Sequence, residues 1–325
     1  MKIILITGVN GYIGSEAAKS LLKKDYKIIG FDLNSSNINC LAKNSNFKFF
    51  KADITDITTF PDELKNVDIL IHCAALVHKR SRDVSRENYF RINHQGTKNI
   101  LSFIDKKRLK QIIFLSTVSI YRALAHEIIP DENTPPSPED YYGESKVAAE
   151  NEIRKFSKNN TIPFTILRLA PVYGENFLLN IKKRVYFPKK IFFYKISSGK
   201  QRISLCSIHN VIDVISYSID RNNYLNKIYI VKDPEDYTIS YIINILKETF
   251  AQEHKPVIKI PHLIPEVFSE IIDFLLPQKG KFYKYQLRKI LKDSIYSGTR
   301  IHTTGIQFKW NLKNTLSNPT SYFEN

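Results

Sequence analysis

Tyr142 and Lys146 stand four residues apart in the stretch "EDYYGESKVAAE", residues 139–150. On a helix that spacing puts both side chains on one face. A lysine ammonium beside a phenol favours the phenolate and lowers its pKa from about 10 toward neutrality. Such a phenol can take a proton from a substrate hydroxyl while hydride leaves the same carbon. Tyr141, five residues from the lysine, points elsewhere and reads as a packing or capping residue. The run "KQIIFLST" ends in Ser116 and Thr117, hydroxyls placed to hold a substrate oxygen against Tyr142. A Tyr-x-x-x-Lys spacing alone arises by chance in many helices, so the elements around it decide its meaning.

The first of those elements is "TGVNGYIG", which places Gly8, Gly11 and Gly14 between an apolar strand and a helix that opens with Tyr12 and Ile13. Gly8 permits a tight turn, Gly11 lets a pyrophosphate approach the backbone, and Gly14 lets the helix lie close to the strand. The helix N-terminus then offers N–H groups and a positive dipole end to phosphates. Asp32 ends the second strand about twenty residues on, where its carboxylate would accept the adenosine ribose hydroxyls. Its charge would repel a 2′-phosphate, which favours NAD over NADP. Asp53 and Ile54 end the third strand within reach of an adenine edge. The small Ala74 and Ala75 of "CAA" let the backbone come close to a dinucleotide.

Short β-branched runs alternate with helical patterns through the first half of the chain. Strands are expected at 2–7, 26–33, 47–54, 67–75, 110–117 and 164–170, and helices at 12–24, from about 55, at 84–105 and at 141–157. Such alternation requires a parallel sheet covered on both faces. The fold expected is therefore α/β, a doubly wound parallel (Rossmann) sheet with a smaller, mostly helical C-terminal lobe. Residues 1–170 would form the dinucleotide domain, and 203–232 would return to the sheet through "ISLCSI", a helix at 209–220 and "KIYIV". Residues 171–202 and 233–325 would form the substrate lobe.

Composition narrows the setting. Three scattered cysteines, Cys40, Cys73 and Cys206, make neither a disulfide framework nor a zinc site. The N-terminal apolar run breaks at Gly8 and reads as a strand, and no apolar span of about 20 residues occurs. The expected location is cytoplasmic. The formal charge of +16 is spread along the chain with no nucleic-acid motif beside it, so no nucleic-acid partner is expected.

Taken in order, "TGVNGYIG", "HCAA", "NHQGTKNIL", "FLSTVSIY", "ENTPPSPEDYYGESKVAAE" and "ILRLAPVYG" resemble the extended short-chain dehydrogenase/reductases, and more closely their NAD-dependent sugar epimerase/dehydratase branch. The resemblance covers residues 1–215. It implies Tyr142 as base, Lys146 as its partner and holder of the nicotinamide ribose, and Thr117 as the third catalytic hydroxyl with Ser116 beside it. It puts Gly8, Gly11, Gly14, Asp32, Asp53 and Ile54 on NAD-binding positions. Arg202 becomes a candidate for the substrate diphosphate, and a homodimer through helices 84–105 and 141–157 is implied.

Departures from the family pattern refine the expectation. Val118-Ser119 replace the acidic pair of the dehydratases, Pro171 replaces a substrate-side asparagine, and Arg122 replaces a glycine. The C-terminal part is similar to bacterial surface-polysaccharide epimerases of N-acetylhexosamine and to 4-ketosugar reductases. The activity expected is an NAD-dependent 4-epimerase of a UDP-linked hexose or N-acetylhexosamine, working through a 4-keto intermediate. The alternatives are an NAD(P)H-dependent 4-ketosugar reductase, an epimerase of an undecaprenyl-diphosphate sugar, and a non-catalytic NAD sensor. Segment 263–276, apolar on one side and followed by Lys279, Lys281 and Lys284, reads either as a helix packed on its own lobe or as a peripheral contact with the inner face of a membrane.

Overall fold

The computed structural model describes residues 1–77, 85–122, 128–187, 191–219, 221–265, 267 and 290–317. Six strands of the first half, β1 (Ile3–Thr7), β2 (Lys27–Asp32), β3 (Phe47–Lys51), β4 (Ile69–His72), β5 (Gln111–Thr117) and β6 (Phe164–Leu169), lie parallel. Three short strands follow: β7 (Val172–Tyr173), β8 (Phe193–Ile196) and β9 (Arg202–Ser204). Then come β10 (Cys206–Ser207), β11 (Lys227–Val231), β12 (Asp236–Thr238) and β13 (Val257–Ile260). The main sheet runs β11-β6-β5-β4-β1-β2-β3, so the order of strands switches between β1 and β4 and the sheet builds outward on both sides. This is the doubly wound α/β arrangement that the alternation predicts.

Side-chain alternation explains why both faces are covered. On β1, Ile4 and Ile6 join one buried cluster with Ala17 and Leu21 of α1 (Tyr12–Leu22), while Leu5 points into the other. On β5, Ile113 and Leu115 face the first cluster; Ile112 and Phe114 face the second. A two-sided apolar strand can persist only if helices cap each side. On the first side these are α1 and α6 (Ile208–Ser218). On the second they are α3 (Gly96–Phe103) and α4 (Tyr141–Asn160).

Two expectations need correction. The helix foreseen at 84–105 is interrupted: α2 (Arg86–Tyr89) passes through a π-helical turn at Phe90–Gln95 before α3 begins. Of the segment 203–232, only β11 joins the main sheet. β10 pairs with β7, and β9 pairs antiparallel with β12. Ser204 and Ser207 interrupt the apolar run, and both are drawn into local hydrogen bonds with Asp236, His209 and Thr315.

A third buried cluster forms the smaller lobe from Tyr173, Ile181 of α5 (Leu179–Val185), Phe193, Ile203, Ile242 and Leu246 of α7 (Ile239–Thr249), and Leu312. That lobe carries short paired strands as well as helices. Most of segment 263–276, with Lys279, Lys281 and Lys284, lies outside the described residues.

Candidate active site

The carboxyl ends of the central strands and the opening turns of α1 and α4 converge on a cleft of about 430 Å³. At its base is the glycine turn. Gly8 has φ +69°, and a Cβ there would come within 2.7 Å of the Ala74 backbone. A Cβ at Gly14 would collide with the Gly8 carbonyl. The turn, α1 and the end of β4 can therefore cross only through glycine. Gly11 caps α1 without a side-chain hydrogen bond, which leaves first-turn N–H groups to an incoming anion. Gly11, Tyr12, Ile13 and Gly14 all line the cleft, as do Cys73 and Ala75. These features fit a dinucleotide pyrophosphate.

Further along the sheet edge, Asp32 is tied to this turn. One carboxylate oxygen accepts the Asn10 N–H at 3.0 Å and the other accepts the Leu33 N–H at 2.7 Å. Asp53 accepts from the N–H and hydroxyl of Thr55 at 2.8 and 2.9 Å. The Ile54 side chain is buried against the α-carbon of Gly96. Ala74 donates its N–H to Thr7 Oγ1 at 3.3 Å. Asp32, Asp53, Ile54 and Ala74 stand outside the lining of the central cleft.

Above the turn, α4 delivers the tyrosine and lysine. Asp140 caps this helix by accepting the Gly143 N–H at 2.7 Å. Gly143 matters for a second reason: a Cβ there would sit 2.6 Å from the Ser119 carbonyl. Its absence lets α4 start against the end of β5, and Tyr142 is hydrogen-bonded there to the Thr117 side chain. Lys146, one turn on, is 2% exposed, lines the same cleft and holds its ammonium 4.0 Å from the centre of the Phe114 ring. Tyr141 is 49% exposed and is neither cap nor packing residue.

The electrostatics differ from the simple tyrosine–lysine expectation. Burial pushes the Tyr142 phenol well above its ordinary range, and the Thr117 hydrogen bond offsets only part of that. Burial also lowers Lys146 to about 7, opposed by the negative charge of Glu150. Among the protein's own groups, desolvation dominates, and the charge of Asp140 adds to the rise of the phenol. A further positive charge near the phenol is what would draw its proton off.

Behind the lysine lies a neutral relay. Thr97 donates to the Asn93 carbonyl at 2.6 Å, so its oxygen accepts from His72 Nε2–H at 2.9 Å. His72 Nδ1 then accepts the Thr7 hydroxyl at 2.6 Å. Burial, with a smaller contribution from Lys146, lowers His72 to about 3 and keeps it uncharged. Asn93 sits in the π-helical turn, and its amide donates to Leu76 O and to Ser145 Oγ of α4.

Two expected site residues point elsewhere. Ser116 lines the cleft, but its hydroxyl donates at 2.6 Å to buried Glu150. Arg202 is outside the cleft lining and pairs with Asp293 through Nε at 3.0 Å and Nη2 at 2.9 Å. Conversely, Phe177 and Asn180 line the cleft without having been foreseen, and Phe177 stacks on Tyr12 at 4.5 Å. Phe177 precedes α5 and Asn180 lies in its first turn, where no periodicity marks them. Arg122 pairs with Glu139 at 3.4 Å.

Comparison with known proteins decides the lineage. Residues 4–231 match the model of the NAD dependent epimerase/dehydratase family. The chain belongs to that family. NAD is the cofactor of these enzymes, and the glycine cradle accommodates it. The chain is 24% identical to the N-acetyl-alpha-D-glucosaminyl-diphospho-ditrans,octacis-undecaprenol 4-epimerase of Escherichia coli O157:H7, over 98% of this chain and 94% of that protein. It is 29% identical to the UDP-glucose 4-epimerase of Vibrio cholerae, over 75% of each. Among solved structures, the UDP-glucuronic acid 4-epimerase of Bacillus cereus in complex with NAD superposes with a TM-score of 0.76 at 22% identity, covering 97% of this chain and 96% of that one.

Proposed function

We propose that the protein is an NAD-dependent 4-epimerase of a UDP-linked hexose or N-acetylhexosamine, acting in surface polysaccharide biosynthesis. The observation that carries this reading is the Thr117–Tyr142 hydrogen bond, one helical turn from Lys146 and above the glycine turn. Gly8, Gly11, Tyr12, Ile13 and Gly14 would hold the pyrophosphate of NAD. Asp32 would hold the adenosine ribose, Asp53 and Ile54 the adenine, and Lys146 the nicotinamide ribose. NAD, when bound, accepts hydride from C4 of the sugar and returns it.

The chain's own residues then manage one proton. Tyr142 takes it from the 4-hydroxyl, holds it while the 4-keto sugar turns over in the cleft, and gives it back to the same oxygen. Thr117 keeps the phenol and the sugar oxygen in line. Lys146 stabilises the phenolate once the site is closed from water. Val118 and Ser119 stand where a dehydratase would carry acids, and neither side chain can act as the acid that expels a 6-hydroxyl, which argues against dehydration. Ser116 and Arg202 enter this reading as supports of the site and not as contacts to the sugar.

Residues 171–202 and 233–325 are the substrate lobe in this reading, and two chains pair through the α2–α3 segment and α4. The relative in Escherichia coli O157:H7 is named for an undecaprenol carrier. Leu263, Ile264 and Val267 are exposed here, at the start of the segment expected to be amphipathic. A lipid-linked sugar approached at the membrane surface is therefore the second carrier to test.

Purified protein should be given UDP-glucose, UDP-N-acetylglucosamine, undecaprenyl-diphosphate-N-acetylglucosamine and a UDP-linked 4-keto sugar, with sugar analysis in the presence and absence of NADH. Formation of the 4-epimer without NADH consumption is the expected result. Oxidation of NADH by a 4-keto sugar with no epimer formed would overturn it in favour of a reductase.

A further inference from the structure

Glu150 stands one turn beyond Lys146 on α4 and is 1% exposed. Its carboxylate accepts Arg168 Nε at 3.1 Å and Nη2 at 2.8 Å, and the Ser116 hydroxyl at 2.6 Å. Arg154, partly exposed, adds a contact at 3.1 Å. Arg168 is 1% exposed, and its remaining nitrogen donates to the Tyr121 hydroxyl at 2.6 Å. Three elements meet at this carboxylate: α4 supplies it, β6 brings Arg168 and β5 brings Ser116, while Tyr121, just after β5, holds the far side of Arg168. Ser116 precedes Thr117 directly, so the same strand end carries both a ligand of Glu150 and the hydroxyl bonded to Tyr142.

A buried ion pair gives little net stability, and apolar residues of similar size often serve as well. A wholly desolvated carboxylate one turn from a wholly desolvated lysine therefore calls for another reason. The groups that face Lys146 are His72 from β4 and Cys73 just after it, Phe114 and Thr117 from β5, and Tyr142 and Glu150 from its own helix. His72 is kept neutral by burial, and burial holds the Cys73 thiol up at about 12. Glu150 supplies the negative charge in this set.

We propose that Glu150 is a positioning residue that keeps Lys146 charged and Thr117 aligned with Tyr142, with Arg168 and Ser116 fixing the carboxylate for both tasks. The role rests on the epimerase reading for its purpose but not for its detection. In protein carrying 13C-labelled lysine, the Lys146 resonance can be assigned by its loss in Lys146→Met and titrated without substrate. The titration midpoint should fall by about one pH unit in Glu150→Gln. The rising limb of kcat against pH should move upward by a similar amount, because a neutral lysine no longer helps ionise Tyr142.

Glu150→Gln leaves Arg168 buried without its partner, so the double variant Glu150→Gln/Arg168→Met, which removes both charges, is measured beside it. A lowered midpoint in the double variant supports the proposal. A wild-type midpoint in the double variant, or an unshifted pH limb with merely reduced kcat in Glu150→Gln, overturns it and leaves Glu150 as a structural partner of Arg168. Loss of the fold in both variants would do the same. Absence of epimerisation by the wild-type protein would remove the activity assignment while the lysine titration still reads the coupling.

Discussion

Tyr142 and Tyr141 are neighbours with opposite fates, and substitution separates them. Tyr142→Phe should reduce kcat by about 10²–10⁴-fold, the range for loss of a general base, while NAD still binds in a fluorescence titration. Tyr141→Phe should leave kcat within about twofold, since surface substitutions rarely matter. The tyrosine that lines the cleft was legible because helical spacing to Lys146 admits only one of the pair. Ser116 was harder to read than Thr117. Period-2 alternation puts Ser116 on the Ile112 and Phe114 face beneath α4, a placement that a motif alone obscures. Ser116→Ala should therefore lower stability by about 1–3 kcal/mol in urea unfolding, because a buried carboxylate loses a donor. Its effect on kcat should be smaller than that of Thr117→Ala. A loss in Ser116→Ala equal to that in Thr117→Ala would return Ser116 to the reacting centre.

At the scale of elements, the seven-stranded sheet followed from apolar runs that alternate with helical ones. The breaks in that regularity did not. Nothing in the spacing of "FRINHQ" announces a π-helical turn, because the extra residue is accommodated by Asn93 and its tertiary partners. The docking of α4 on β5 depends on one missing Cβ. Gly143→Ala would bring a carbon within 2.6 Å of the Ser119 carbonyl, forcing the start of α4 away from Thr117. Circular dichroism should show an intact fold, and kcat should drop by roughly 10²-fold, as expected for a displacement near 1 Å. Unchanged turnover in Gly143→Ala would mean that the helix start has slack that this contact does not reveal. Arg168 did offer a signal in the sequence: a charge inside "FTILRLA" demands a buried partner, and the Glu one turn past Lys146 is that partner.

Across the whole molecule, burying charge links stability to pH. Lys146 titrates near 7 in the folded protein, against 10.5 as its reference value. Above about 10.5 the lysine is neutral in both states; as pH falls toward 7, only the unfolded chain gains the proton, and stability declines across that window. Below about 7 both states are charged and the slope vanishes. Urea unfolding of the cofactor-free protein should show wild type gaining about 2 kcal/mol relative to Lys146→Met between pH 7 and 9. Parallel curves for the two proteins would mean that the ammonium is solvated. The net charge of +16 is a property of the whole chain and says little about the cleft, whose lysine titrates near 7.

Pro171, at the wall of the cleft, has a consequence for substrate range. With Leu169, Ala170, Val172 and Leu179 it forms an apolar stretch of a cleft wall whose polar side chains include Thr117, Ser119 and Asn180, and in the proposed reaction the sugar ring would turn against that stretch. A ring that meets few fixed polar partners can present either face at similar energy, and discrimination between hydroxyl and acetamido groups at C2 then has little to act on, because a missing hydrogen bond costs selectivity only where a site was built to make it. The enzyme should be catholic toward the hexose: kcat/KM for UDP-glucose and UDP-N-acetylglucosamine should lie within about tenfold of each other, the range for discrimination by apolar contact alone. Pro171→Asn, by restoring a polar contact, should widen that ratio.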